Sequence, residues 1–252
     1  MHAPLLYPIG TTQACHFAAE FLKKRGIHVT DHPSPDVTDL LLDVPSFCPN
    51  GTLRSGKDIH SYLERLPAQI RIIGGNLNSW TPENYQKTDL LQDPEYLAQN
   101  ASITASCALM IAAQKLQVTL PLTSVLIVGW GRIGKCLAHQ LKGLGADPIV
   151  AARKESDRAV LRMLGYRAAS MDSLRKIIPS VRLIFNTAPE PILNEEDFTN
   201  AAECLKIDLA SRPGIICRDA IEARGLPGIH APESSGQLIG NRVYRLLMEE
   251  SQ

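Results

Sequence analysis

Residues 125–138 read VLIVGWGRIGKCLA. Four branched apolar residues run into Gly129-Trp130-Gly131-Arg132-Ile133-Gly134, and a helical pattern, IGKCLAHQLKGLG, follows. The glycines fall after a strand and at the opening of a helix, the context in which this spacing carries meaning. Gly129 permits a sharp turn, Gly131 lets backbone approach a pyrophosphate, and Gly134 lets the helix pack closely on the strand. The helix start adds free N–H groups and the positive end of its dipole. A glycine-rich turn with a purely structural job is the competing reading. The strand before it and the helix after it favour a dinucleotide site, with Trp130, Arg132 and Ile133 counted beside the three glycines.

The next strand, PIVAAR, sharpens the expectation. A domain that prefers NAD usually ends this strand on Asp or Glu, which accepts hydrogen bonds from a ribose 2′-OH. Here Ala151-Ala152-Arg153-Lys154 stand there. Two cations sit where a 2′-phosphate belongs, so NADP is expected over NAD, with NAD kept as the alternative. The plainer account is an exposed loop with ordinary surface charges.

Strands and helices alternate on both sides of this stretch. Upstream, residues 3–9 read as a strand and TTQACHFAAEFLKKRG as a helix closed by Gly26. Strands are expected at 27–29, 40–44 and 69–73, with an amphipathic helix, KDIHSYLERL, before the last of them. A long helix over 94–117 leads to the glycine turn. Downstream come a helix ESDRAVLRMLG, a short helix over 172–178, the strand VRLIFNT, a helical turn at NEEDFTNA, the strand CLKIDLA and a short helix CRDAIEARG. The tail from Ser234 is a helix with Leu238, Ile239, Val243, Leu246 and Leu247 on one face. The pattern predicts an α/β protein with a first domain over 1–95 and a Rossmann domain over 96–235.

Composition bounds the function. The 252 residues carry 26 basic and 26 acidic side chains, for a net charge of zero. Neither bulk charge nor a basic tract points to nucleic acid. Apolar windows fall short of a membrane span, and the first residues lack a signal-peptide pattern. A cytoplasmic protein is expected. The six cysteines never form CxxC, and the histidines (His2, His16, His28, His32, His60 and His139) lack ligand spacing, so no metal is expected.

The segments GWGRIG, GLGAD-IVAARKES, IFNTAPEPIL, IDLASRPG and LPGIHAPESSGQLI, in that order and spacing, resemble the A-type component of dipicolinate synthase over roughly residues 90–245. IDLASRPG is the most specific of them. The resemblance implies the fold of D-2-hydroxyacid dehydrogenases: an N-terminal flavodoxin-like domain, a Rossmann NAD(P)-binding domain, and a C-terminal helix, residues 236–252, that returns to the first domain. It implies oxidation of dihydrodipicolinate, or a related small carboxylate, with a nicotinamide cofactor during sporulation, beside a separate flavoprotein-like B subunit. Homo-oligomerisation stays open. Carried over, the glycine turn holds the pyrophosphate and Arg153 the 2′-phosphate. Asn186, Thr187 and Pro189 line the ribose side, and Asp208, Ser211 and Arg212 face the cleft. Ser234, Ser235 and Gly236 form the loop before the last helix.

The departures fall on the substrate side. An N-terminal glycine-rich motif with a following Asp and Arg is reduced to Ile9-Gly10-Thr11-Thr12. A Glu-Gly pair is replaced by Ser106-Cys107, and a Lys by Glu233. Residues are missing between Gly225 and Leu226, where the domain's last strand is expected. These changes mark a divergent and shortened member.

Two residues are expected to act on substrate. Arg212 follows a strand's carboxyl end, where α/β sheets bind ligands, and a guanidinium grips a carboxylate through two parallel hydrogen bonds. Its plainer role is a structural pair with Asp208. His230 is the histidine near the last loop and is the candidate general acid or base, against a purely structural role. Besides an oxidoreductase of the dipicolinate synthase type, two alternatives remain: a non-catalytic NADP-binding subunit or sensor that needs a partner protein, and a D-2-hydroxyacid dehydrogenase proper.

Overall fold

A computed structural model describes residues 3–249. The last three residues of the tail helix expected over 236–252, and His2, lie outside the described residues. The chain divides into two compact units, 1–100 with 227–252, and 101–226.

In the first unit the elements run β1 (Leu5–Pro8), α1 (Gln13–Lys24), β2 (His28–Val29), β3 (Asp39–Leu41), α2 (His60–Leu63), β4 (Arg71–Gly74) and β5 (Gln86–Asp89). The five strands are parallel in the order β2-β1-β3-β4-β5, which is the flavodoxin-like order. Its core includes Leu40, Leu42, Ile59, Ile70, Ile72 and Leu77. A buried Arg71–Asp39 ion pair, with 2.6 Å between Nη2 and Oδ1, ties β4 to β3.

The helix α3 (Pro94–Lys115) carries the chain into the second unit. There follow β6 (Val125–Val128), α4 (Arg132–Gly143), β7 (Ile149–Ala151), α5 (Glu155–Met163), β8 (Arg167–Ala169), α6 (Leu174–Ile177), β9 (Leu183–Asn186), β10 (Leu193–Asn194), β11 (Leu205–Asp208), β12 (Ile215–Ile216) and β13 (Ile221–Glu222). The main sheet runs β13-β11-β9-β6-β7-β8, all parallel. This is the Rossmann order, with its reversal between β6 and β9. Gly26, Gly145 and Gly165 follow α1, α4 and α5 at positive φ, where a left-handed residue closes a helix.

The chain ends in α7 (Leu226–His230) and α8 (Pro232–Glu249). Within the first unit α8 lies against α1. A methyl group on Gly236 would sit 2.4 Å from the Phe17 Cβ, and one on Gly240 2.8 Å from the Phe21 Cδ1. The missing side chains are what let the two helices approach. Leu238, Ile239, Val243 and Leu247 are buried.

Several local expectations are corrected. CRDAIEARG is not a helix. Ile221 and Glu222 pair with Ile207 and Asp208, because the edge of β11 needs backbone partners and tertiary pairing overrides local propensity. The last strand is thus shortened, not lost. Ser234, Ser235 and Gly236 are not a loop, since α8 begins at Pro232. The helix in KDIHSYLERL is a single turn over His60–Leu63, ended before Pro67, which disfavours helix at the residue before it. β5 and β8 are short strands without apolar alternation, and the sequence pattern does not announce them.

Candidate functional site

Gly129, Arg153, Asn186 and Arg212 follow or end β6, β7, β9 and β11. They share the carboxyl edge of one parallel sheet, at its topological switch point, where doubly wound sheets bind ligands.

At the centre of that edge each glycine has a distinct job. Gly129 has φ +105, and a methyl group there would meet the Thr187 Oγ1 at 2.5 Å. A methyl group on Gly134 would lie 2.2 Å from the Gly129 carbonyl oxygen, so helix and turn are in direct contact. Gly131 differs: nothing stands within 4 Å of the place its Cβ would take. Gly131 also occupies the N-cap of α4 with no side-chain hydrogen bond. No side chain at the N-cap therefore takes up the first N–H groups of α4, the groups that an anion site at a helix start uses. Gly131 and Arg132 are exposed, and Ile133 is half-buried. Trp130 is half-buried, its ring edge-on to Tyr166 at 5.9 Å and 5.7 Å from the Lys135 ammonium.

On the β7 side, Arg153 and Lys154 are exposed. Arg153 pairs with Glu190, which follows β9. Arg158 donates from Nη1 to the carbonyl oxygens of Ala152 and Arg153, both at 2.7 Å, and so fixes the backbone that presents Arg153. Lys154 makes no side-chain hydrogen bond or ion pair among the described residues.

On the other side, Asp208 organises IDLASRPG. It is 1% exposed. Its Oδ2 accepts from the N–H of Gly214 at 2.7 Å and of Ile215 at 2.9 Å. Its Oδ1 accepts from the Ala210 N–H at 3.1 Å and the Asn186 Nδ2 at 2.8 Å. One carboxylate folds the loop from 209 to 215 around itself. Gly214 is part of the device, because a methyl group there would lie 2.2 Å from the Asn186 Nδ2. Asp208 therefore does not face a cleft; its oxygens are spent on backbone N–H groups and on the Asn186 side chain. The structural pair between Arg212 and Asp208, the plainer alternative to a ligand contact, is not formed. Arg212 and Ser211 are exposed on this loop, and Arg212 makes no hydrogen bond or ion pair among the described residues.

The family resemblance puts Asn186, Thr187 and Pro189 along a ribose. Asn186 is buried, and its Nδ2 donates to the Ala188 carbonyl and to Asp208. Thr187 donates from Oγ1 to the Val128 carbonyl at 3.0 Å. Both side chains brace the backbone beside the glycine turn, and Pro189 is exposed. Asp208, Gly214 and Glu190 build the site in ways the sequence pattern does not announce. An Asp at a strand end with Gly six residues on is the signal for the first two.

Thiol chemistry does not belong to this edge. Burial pushes Cys204 and Cys217 up to about 11, Cys217 with help from nearby acids such as Glu195, and burial raises Cys136 in α4. All three stay protonated near neutrality, and the thiolate is the reactive form. Among the described residues no group of three or more His, Cys, Asp or Glu is arranged to hold a metal ion, and no helix is long and apolar enough to cross a membrane. His230 is exposed at the end of α7, in the first unit.

No protein-family profile matches the chain. The dipicolinate synthase A component of Bacillus subtilis (strain 168) is 27% identical over 265 aligned residues, covering 97% of this chain and 88% of that protein. The crystal structure of the B. subtilis A component superposes with a TM-score of 0.80 at 23% identity, over 99% of this chain and 97% of that one. Its counterpart from Bacillus halodurans gives 0.80 at 21% identity, over 97% and 98%. The transhydrogenase of Sinorhizobium meliloti shares the fold at 0.67 and 13% identity, over 90% of this chain and 79% of that one. The resemblance therefore reaches beyond residues 90–245 into the first unit.

Proposed function

We propose that the chain, which is similar to the dipicolinate synthase A component over nearly its whole length, is an NADP-dependent oxidoreductase acting on a small carboxylate, dihydrodipicolinate or a chemical relative of it. The observation that carries this reading is the contrast among three glycines. Two are packed against protein, and Gly131 opens onto free space at an uncapped helix start. That arrangement fits a pyrophosphate. The N–H groups from Gly131 to Gly134 would hold it, and Arg153 would take a 2′-phosphate.

When bound, a nicotinamide cofactor supplies a hydride acceptor or donor. The chain supplies the rest. Asp208 holds the loop that presents Arg212, whose unpaired guanidinium suits a carboxylate in bidentate geometry. His230, the histidine near the last loop, is assigned the proton-carrying role of a general acid or base. Calorimetric titration of NADP and NAD onto the purified protein tests the cofactor assignment. NADP should bind more tightly by about ten- to a hundredfold, the worth of one charge-assisted contact at about 1.5–3 kcal/mol. Tighter binding of NAD, or an Arg153→Ala variant with an unchanged affinity ratio, defeats it.

A second reading is favoured by the first unit. There Asp43 accepts from the backbone N–H groups of Thr11 and Thr12 at 2.9 and 3.0 Å. Those donors are not free for a ligand anion. A protein that binds NADP but turns over only with a B-type partner fits this. Reduction of NADP by dihydrodipicolinate, measured with and without such a partner, separates the two.

A further inference from the structure

We propose that Glu190 is a specificity gate for the cofactor groove: its carboxylate occupies the place of a 2′-phosphate on Arg153 and yields it to a 2′-phosphorylated dinucleotide. The inference rests on the NADP reading above and goes beyond it by naming what holds Arg153 when no phosphate is there.

The sheet order puts β6 between β7 and β9. Arg153 follows β7 and Glu190 follows β9, so their ion pair spans the carboxyl end of the strand that leads into the glycine turn. Neighbouring strands are about 4.8 Å apart, so the pair bridges roughly 10 Å of groove. Both sides are fixed. The Ala152–Arg153 backbone is held by Arg158. On the other side, Ala188 exchanges two hydrogen bonds with the Asn186 side chain. Ile192 donates its N–H to the Gly214 carbonyl at 2.9 Å. Between these anchors Glu190 sits flanked by Pro189 and Pro191, whose rings fix φ. A carboxylate on a stiff tripeptide is thus aimed across the groove at the cation the NADP reading requires.

The pair is built to exchange. Arg153 is 67% exposed and Glu190 58%, and such ion pairs hold weakly in water. A 2′-phosphate brings more charge and more acceptor oxygens to the same guanidinium. It displaces the carboxylate, which swings into solvent. A dinucleotide with a bare 2′-OH brings no anion to Arg153 and leaves the pair in place.

The test is calorimetry at low salt on the full chain, with NADP, NAD, adenosine 2′,5′-bisphosphate and AMP as probes. Glu190→Gln keeps the shape and removes the charge. It should tighten NADP and the bisphosphate by about two- to fivefold, the range of an exposed ion pair, and shift NAD and AMP less. In an Arg153→Ala background the same change should do nothing. Equal shifts for all four probes would make Glu190 a plain obstacle, and no shift would make the pair incidental; either result overturns the proposal. The wild-type ratio of NADP to NAD affinity reports separately on the cofactor reading. A preference for NAD overturns both, whereas a preference for NADP with no effect of Glu190→Gln overturns the gate alone.

Discussion

The chain twice runs from a parallel strand through glycine into a helix, and the two helix starts have opposite fates. At α1, Gly10 leads to Thr11 and Thr12, and the end is closed. Thr12 caps the helix by accepting from the Cys15 N–H at 3.2 Å. Asp43, 4% exposed, takes both threonine N–H groups and both hydroxyls. A methyl group on Gly10 would meet the Cys15 Sγ at 2.5 Å. At α4 the N-cap is Gly131, which offers no side-chain hydrogen bond, and among the described residues no side chain stands within 4 Å of the place its Cβ would take. A helix N-terminus attracts anions in either case. In the first unit the anion is a residue of the protein, and α1 is structural. In the second no side chain of the described residues takes that part, and the proposed site for a ligand anion is there.

The largest effect should come from removing what covers α1. A chain ending at Gln237 loses Leu238, Ile239, Val243 and Leu247, each worth about 1.5–3 kcal/mol when buried. That loss rivals the whole stability of a domain, about 5–15 kcal/mol. Thermal unfolding should show the first unit unfolded at room temperature. A melting curve like that of the full chain would mean α8 contributes little to α1.

Removing the internal anion comes next. Asp43→Ala leaves the N–H groups of Thr11 and Thr12 without acceptors, at a cost of about 3 kcal/mol, read as a lowered denaturation midpoint. NADP affinity should not change. A weakened affinity would show that the two helix starts are not functionally separate.

The mirror experiment is Gly131→Val. Its side chain enters empty space, so the melting temperature should hold, while NADP affinity falls about a hundredfold, or about 2.7 kcal/mol. Gly10→Val should do the reverse, lowering stability and sparing affinity. Loss of stability at Gly131, or retained binding, would break the contrast.

The smallest effect concerns a third helix start, at α3. Asp93 accepts from the N–H groups of Glu95 and Tyr96 at 2.8 and 3.0 Å and pairs with Arg242 of α8. Burial pushes its pKa up, but the Tyr96 N–H, the Arg242 guanidinium and the Glu95 N–H outweigh that, and the net shift is downward. A carboxyl with a lowered folded pKa stabilises above its unfolded value, near 3.8, and loses that contribution as pH falls through the folded one. Asp93→Asn keeps a capping oxygen but loses the charge facing Arg242 and the helix start, and should cost about 1 kcal/mol near neutral pH and nothing once the pH is below both values. A constant difference across that acid range would remove Asp93 from the pH dependence.

The glycine turn was legible because its logic is local. A strand, three glycines at fixed spacing and a helix are all contiguous, and Arg153 stands at a fixed offset from them. The alternation of elements likewise declared two α/β units, and the apolar stripe after Ser234 declared a helix in need of a partner. The strand at 221–222 was not legible, because what makes it a strand is the open edge of β11, not its own residues. Asp208 has the sequence position of a cleft residue, yet its oxygens are spent on Ala210, Gly214 and Ile215.

By itself, then, the sequence determined the glycine-rich strand–turn–helix, the cationic end of β7 and the parallel α/β class, since each follows from periodicity and backbone stereochemistry over a few neighbouring residues. Only the tertiary structure decided which helix start is sealed, which asparagine and aspartate are props, and that Glu190 reaches Arg153 across 37 residues of chain. Those outcomes depend on which polar groups meet when distant segments come together. A buried donor or acceptor takes whatever partner the fold delivers, and no local pattern records that choice.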